Sequence, residues 1–92
     1  MNQYGNQAQK HWQAHLPRRY QALPNPEAFF SQLGEEVFQR VDELMDVLVG
    51  EGPPGEGYME RLGRLNMARL NAESQALSEL ALLPEETEET AA

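Results

Sequence analysis

The stretch NPEAFFSQLGEEVFQRVDELMDVLV, residues 25–49, decides the fold. It opens on Asn25-Pro26-Glu27. Asparagine accepts from the first free amides of a helix, proline suits the first helical position, and a carboxylate complements the positive helix end. Downstream, Phe30, Leu33, Val37, Val41, Leu44 and Leu48 recur at spacings of three and four, with Phe38 and Met45 flanking them on the same side. That is the period of one helix face, and it predicts a helix over about 26–49. The opposite face gathers Glu35, Glu36, Asp42, Glu43 and Asp46, an acidic and solvated side. The run Gly50-Glu51-Gly52-Pro53-Pro54-Gly55-Glu56-Gly57 ends the pattern, because glycine and proline terminate helices.

Past that run, Tyr58, Met59, Leu62, Leu65, Leu70, Ala72, Ala76, Leu77, Leu80 and Leu83 project onto one broad face at 100° per residue. A second long helix is therefore expected over about 58–83, stopped by Pro84. Gly63 inside it costs helix propensity of about 1 kcal/mol and offers a place for close helix contact. Two apolar-faced helices on a short connection favour an antiparallel αα-hairpin that buries both stripes together. Towards the N-terminus, Tyr4, Ala8, Trp12 and Leu16 fall at four-residue spacing, which predicts a helix over about 3–15. Pro17 restarts the chain as a short turn of helix over about 17–23, and Pro24-Asn25-Pro26 then redirects it. The expected architecture is all-α: one helical domain over residues 1–83, with the N-terminal segment packed on the hairpin. The last nine residues, Pro84 to Ala92, are acidic and nearly devoid of large apolar groups, so they are expected to be disordered.

Composition narrows function. At 92 residues and 40% hydrophobic content the chain has room for one modest core and not for a large enclosed substrate cavity. It contains no cysteine, which removes disulfides, thiolate metal sites and a thiol nucleophile. Met1 to Lys10 is polar, so neither a signal peptide nor a membrane span is expected, and the cytoplasm is the expected location. The net charge is −8 but is unevenly placed. Residues 1–24 carry Lys10, Arg18 and Arg19 with no acid, whereas residues 25–57 hold eight acids against Arg40 alone. An acidic total argues against non-specific nucleic-acid binding through the whole surface.

Three groups of residues depart from a plain helical pattern. Asn66, Arg69 and Glu73 lie within about 40° of Leu62 on the apolar face of the last helix. They form either a buried polar network, with Arg69 pairing Glu73 and Trp12 or Tyr20 packed over them, or a partner-facing groove; the internal network is the expectation. Lys10, Arg18 and Arg19, interleaved with Trp12 and Tyr20, are the one stretch resembling a nucleic-acid contact surface, and they are equally suited to facing the acidic helix. His11 and His15 have the i to i+4 spacing of a zinc ligand pair, but no His-Glu-x-x-His pattern, cysteine or third histidine accompanies them. Surface or capping histidines are expected, with no metal, no cofactor and no catalytic residue: there is no paired nucleophile and base, and no phosphate-binding glycine loop.

Two segments carry a resemblance. Arg64-Leu65-Asn66-Met67-Ala68-Arg69-Leu70-Asn71-Ala72-Glu73, running on to Leu80, resembles the C-terminal helix of the transposon-encoded TnpV-type proteins. His15-Leu16-Pro17-Arg18-Arg19-Tyr20-Gln21-Ala22-Leu23 is similar to that family's His-x-Pro-x-x-Tyr segment, and a long amphipathic helix separates the two in both. The resemblance spans most of residues 10–83 and implies a small accessory protein of a mobile genetic element or phage. The acidic middle helix, the Pro-Pro loop and the acidic tail depart from the family pattern and weigh against carrying over a DNA-binding role. The leading expectation is a non-catalytic interaction or regulatory protein that docks a helical surface on a protein partner or on a second copy of itself, with no membrane involved. Two alternatives stay open. One is a DNA-binding accessory factor of the excisionase or regulator kind, using the N-terminal basic cluster with Arg61 and Arg64. The other is an acidic mimic of nucleic acid that inhibits a host nuclease or defence complex, in the manner of an anti-CRISPR protein.

Overall fold

Four helices follow one another in a computed structural model that describes residues 1–85. They are α1 (Gln3–His15), α2 (Pro17–Gln21), α3 (Pro26–Val49) and α4 (Tyr58–Leu80), and no strand occurs among the described residues. Each start has a local cause. The Gly5 amide donates to the Asn2 side chain at 2.9 Å to cap α1, and the Ala28 amide donates to Asn25 at 3.2 Å to cap α3. Pro17 and Pro26 occupy first-turn positions, where no amide is missed.

Helices α3 and α4 form the antiparallel hairpin, and α1 lies over it, antiparallel to α3 and alongside the C-terminal half of α4. The register follows from three contacts. Asn2 sits at Gly34, Tyr4 at Glu73 and Trp12 at Ala81. The core collects Tyr4, Ala8, Trp12 and Leu16 from the first segment, Phe30, Leu33, Val37, Val41 and Leu44 from α3, and Ala72, Ala76, Leu77 and Ala81 from the end of α4. The alanines let the helices approach, and the aromatic rings fill the junction of α1, α2 and α3. Trp12 meets Phe30 edge-on with centroids 5.4 Å apart, and Tyr20 stacks on Phe30 at 6.0 Å.

Glycine allows the α1–α3 approach, at positions that the hydrophobic period passes over. A Cβ on Gly5 would lie 2.5 Å from the Phe30 carbonyl oxygen, and one on Gly34 would run into the Asn2 side chain and lie 2.9 Å from the Gly5 nitrogen. Asn2 uses that space twice: its oxygen caps α1 while its amide donates to the Gly34 carbonyl at 2.9 Å. Gly63, expected to serve close helix contact, instead faces open space. The loop after α3 needs glycine for a different reason. Gly50 and Gly55 have φ of 53° and 76°, and the Glu56 amide donates to the Pro53 carbonyl across Pro54-Gly55, the residue pattern of a type II turn.

Two helix ends differ from the sequence-based expectation. Helix α2 stops at Gln21 rather than Leu23, two residues short of Pro24. Helix α4 stops at Leu80 rather than Leu83, with its C-cap at Ala81. The Ala81 and Leu82 amides both donate to the Leu77 carbonyl, at 2.9 and 2.7 Å, and the chain then turns towards α1. The Trp12 indole donates to the Ala81 carbonyl at 2.9 Å, and His11 Nε2 lies 2.8 Å from the Leu83 carbonyl. The expectation of disorder over 84–92 falls almost wholly on residues 86–92, which lie outside the described residues.

Candidate docking surface

The α3–α4 hairpin is longer than the helix that covers it. Helix α1 has 13 residues against 24 and 23 for α3 and α4, and its N-terminus reaches only to Gly34 and Glu73. Past that point the cleft between the two long helices stays open. On α3 Val37, Val41 and Leu44 stay buried past Gly34, while beside them Phe38 is 55% exposed, Met45 half-buried and Leu48 42% exposed. Across the cleft on α4 lie Met59 at 73%, Leu62 at 40% and Leu70 at 60%. The expected full burial of both stripes is therefore corrected. It holds for the C-terminal half of α4 and fails for its N-terminal half, since α1 is too short to cover both.

Asn66 and Arg69 line this open cleft and are exposed, and no buried charged or polar residue occurs among the described residues. The expected internal network of Asn66, Arg69 and Glu73 under Trp12 or Tyr20 is not what forms. Arg69 makes no ion pair within 4 Å of Glu73, and the aromatic at Glu73 is Tyr4, whose hydroxyl donates to the carboxylate at 2.9 Å. Burial, and then this bond to a carboxylate, push the Tyr4 hydroxyl pKa upward. The physical reason is register: α1 ends one turn short of Arg69, so only Glu73 lies beneath it.

The acidic residues Glu35, Glu36, Asp42, Glu43 and Asp46 are all exposed. At 100° per residue they separate into two sets on α3. Glu36 and Glu43 turn to the side away from the cleft, where Arg40 pairs Glu43 at 3.2 Å and Glu79 at 3.0 Å. Its bonds, with one from Gln75, hold Glu79 below the usual carboxylate range. Glu35, Asp42 and Asp46 run along the edge outside Phe38 and have no ion-pair partner among the described residues.

The aromatic residues of the N-terminal basic group are turned towards the core. Trp12 is buried with its indole committed to Ala81, and the Tyr20 hydroxyl accepts from Gln9 and Gln13 at 3.3 and 3.0 Å. Trp12 is therefore not presented at the surface, Tyr20 is half-buried, and Lys10, Arg18 and Arg19 are exposed. Arg64 is engaged too. Its Nε and Nη2 hold Glu56 in a two-pronged bridge at 2.8 and 3.1 Å, while Nη1 donates to the Val49 carbonyl at 2.5 Å. That bridge keeps the Glu56 carboxyl below its ordinary pKa. The His11 and His15 rings lie tilted against each other with centroids 4.8 Å apart, His15 lying 4.0 Å from Glu85, and among the described residues no three potential ligands gather around a metal position.

The Arg64 bridge, the Tyr4–Glu73 bond and the Asn2 bolt went unforeseen. The glycines at 5 and 34, isolated within helical patterns, were the available signal for the last. No helix among the described residues is long and apolar enough to cross a membrane. Set against protein-family models, characterised proteins and solved structures, the chain matches none.

Proposed function

We propose that this protein is a non-catalytic interaction module whose open distal cleft docks on a protein partner. The observation that carries the proposal is the set of exposed apolar side chains, Phe38, Leu48, Leu62 and Leu70, that flanks the buried Val41 and Leu44 past the end of α1. A contiguous apolar patch rimmed by polar groups marks an interaction site more often than isolated exposed side chains do. Covering the part-exposed side chains of Phe38, Leu48, Met59, Leu62 and Leu70 is worth on the order of 5 kcal/mol, at roughly 1 kcal/mol each. Association itself costs about 4–15 kcal/mol, so the apolar cleft needs help from its polar edges. An accessory role in a mobile genetic element or phage belongs to the same proposal and rests on the TnpV-like segments.

The test compares the parent with Phe38→Glu and Leu62→Glu, both at exposed positions, in nuclease-treated pull-downs from cells of the source organism. A protein retained by the parent and lost by both variants, with helical circular dichroism unchanged in all three, is the expected result. Capture that vanishes with nuclease, or that ignores both substitutions, refutes the proposal.

A further inference from the structure

The docking reading leads to the chemistry of the occupant, and the inference rests on that reading. We infer that the cleft receives a short amphipathic helix of another protein, basic along one flank, seated end to end with α1 between α3 and α4.

The chain's own α1 is the template. It fills the proximal half of the same cleft as a helix, presents Tyr4, Ala8 and Trp12 at four-residue spacing, and carries Lys10 and no acid. Its register, Asn2 at Gly34 and Tyr4 at Glu73, can be continued beyond its N-terminus. Counted from Asn2 at Gly34 and Tyr4 at Glu73, the next turn of a helix there lies over Phe38 with Arg69 and Leu70, the one after over Asn66, and the third over Met45 and Leu62, with Leu48 and Met59 at its far end. From Leu70 to Met59 the uncovered cleft is roughly 17 Å long, about three helical turns.

Charge selects among helices of that length. One edge of the cleft is Glu35, Asp42 and Asp46, all exposed and without an ion-pair partner among the described residues. Lysines or arginines on the facing flank of the occupant would meet them. The other edge offers Asn66 and Arg69, which call for one acceptor on the occupant, the reverse of the arrangement one turn away, where the Tyr4 hydroxyl donates to Glu73. A second copy of this chain fits poorly: it would bring another net charge of −8, and stacking the two hairpins antiparallel face to face sets one acidic α3 against the other.

The experiment displays a library of random 18-residue helix-forming peptides to the immobilised full chain, with counter-selection on the Leu62→Glu variant. The expected winners carry apolar residues at i, i+3, i+4 and i+7 and a net positive charge. In fluorescence anisotropy the double substitution Asp42→Lys, Asp46→Lys should weaken them at least tenfold, and added salt should weaken them on the parent. Winners of neutral or negative charge, an empty selection, or affinity indifferent to Asp42 and Asp46 overturn the inference. Sedimentation showing a dimer that is lost in Phe38→Glu assigns the cleft to a second copy, which overturns the inference and leaves the docking reading standing. If neither peptide, nor second copy, nor extract protein depends on Phe38 and Leu62, the docking reading fails with it.

Discussion

Replacing glycine by alanine at two positions should change stability in opposite directions. In a helix interior alanine is favoured over glycine by about 1 kcal/mol. At Gly63 nothing lies near the added methyl, so Gly63→Ala should gain about that amount and raise the melting temperature by roughly 4–8 °C. At Gly34 the same methyl runs into Asn2 and the Gly5 backbone. Displacing Asn2 removes a helix cap, about 1 kcal/mol, and its bond to the Gly34 carbonyl, about 1 kcal/mol more. Pushing α1 outward adds overpacking of about 1–3 kcal/mol. Against the propensity gain, the net loss for Gly34→Ala is about 2–4 kcal/mol. Urea titration followed by circular dichroism gives both differences. Trp12, the sole tryptophan, is buried at the α1–α3 contact, so its fluorescence shows whether α1 has left its seat. A Gly34→Ala protein as stable as the parent, with tryptophan emission unchanged, would refute the close-approach account of the α1–α3 crossing.

Three further outcomes are expected. Arg69→Ala should cost less than about 1 kcal/mol in chemical denaturation, since Arg69 is exposed; a loss of several kcal/mol would restore an internal network. Trp12→Phe keeps a ring in the core but leaves the Ala81 carbonyl without its donor, so a loss of about 1–3 kcal/mol should appear in the same titration, and an unchanged midpoint would count against that bond. Glu56 and Glu79 have folded-state pKa values below their unfolded ones, so their stabilisation is present above the ordinary glutamate pKa and is lost as pH falls through the folded values. Urea midpoints measured downward from about pH 4.5 should therefore drop, less steeply in Glu56→Gln, and identical slopes in parent and variant would dismiss the Arg64 bridge as a source of stability.

Much of the fold was legible because period and punctuation agreed. The bounds of α3 follow from Asn25 as cap, from Pro26 at the first turn and from apolar residues at three- and four-residue spacing, and those of α1 from the four-residue spacing of Tyr4, Ala8, Trp12 and Leu16 ahead of Pro17. What the pattern could not convey was length matching in three dimensions. Leu62 and Leu70 read as core residues because periodicity reports a face and not its cover, and α1 runs out before reaching them. The same limit misplaced Arg69. Spacing put it on the apolar face, correctly, but whether that face is dry depends on a helix about sixty residues away in sequence. Trp12 and Tyr20 looked like stacking platforms because they sit among basic residues, yet side chains at neighbouring positions of a helix point in different directions, and these two point inward.

The Arg64 clasp bears on how tightly a cleft of this kind can bind. One guanidinium ties the last carbonyl of α3 to Glu56 in the connecting loop, so the far end of the hairpin is held at fixed width, while Asn2 and Trp12 hold the near end through α1. A guest helix would meet walls whose separation is already set, and little of its binding free energy would be diverted into ordering the host. Loosening the clasp with Arg64→Ala should thus slow the arrival of the guest or speed its departure although Arg64 touches it nowhere, the signature of rigidity supplied from outside the contact.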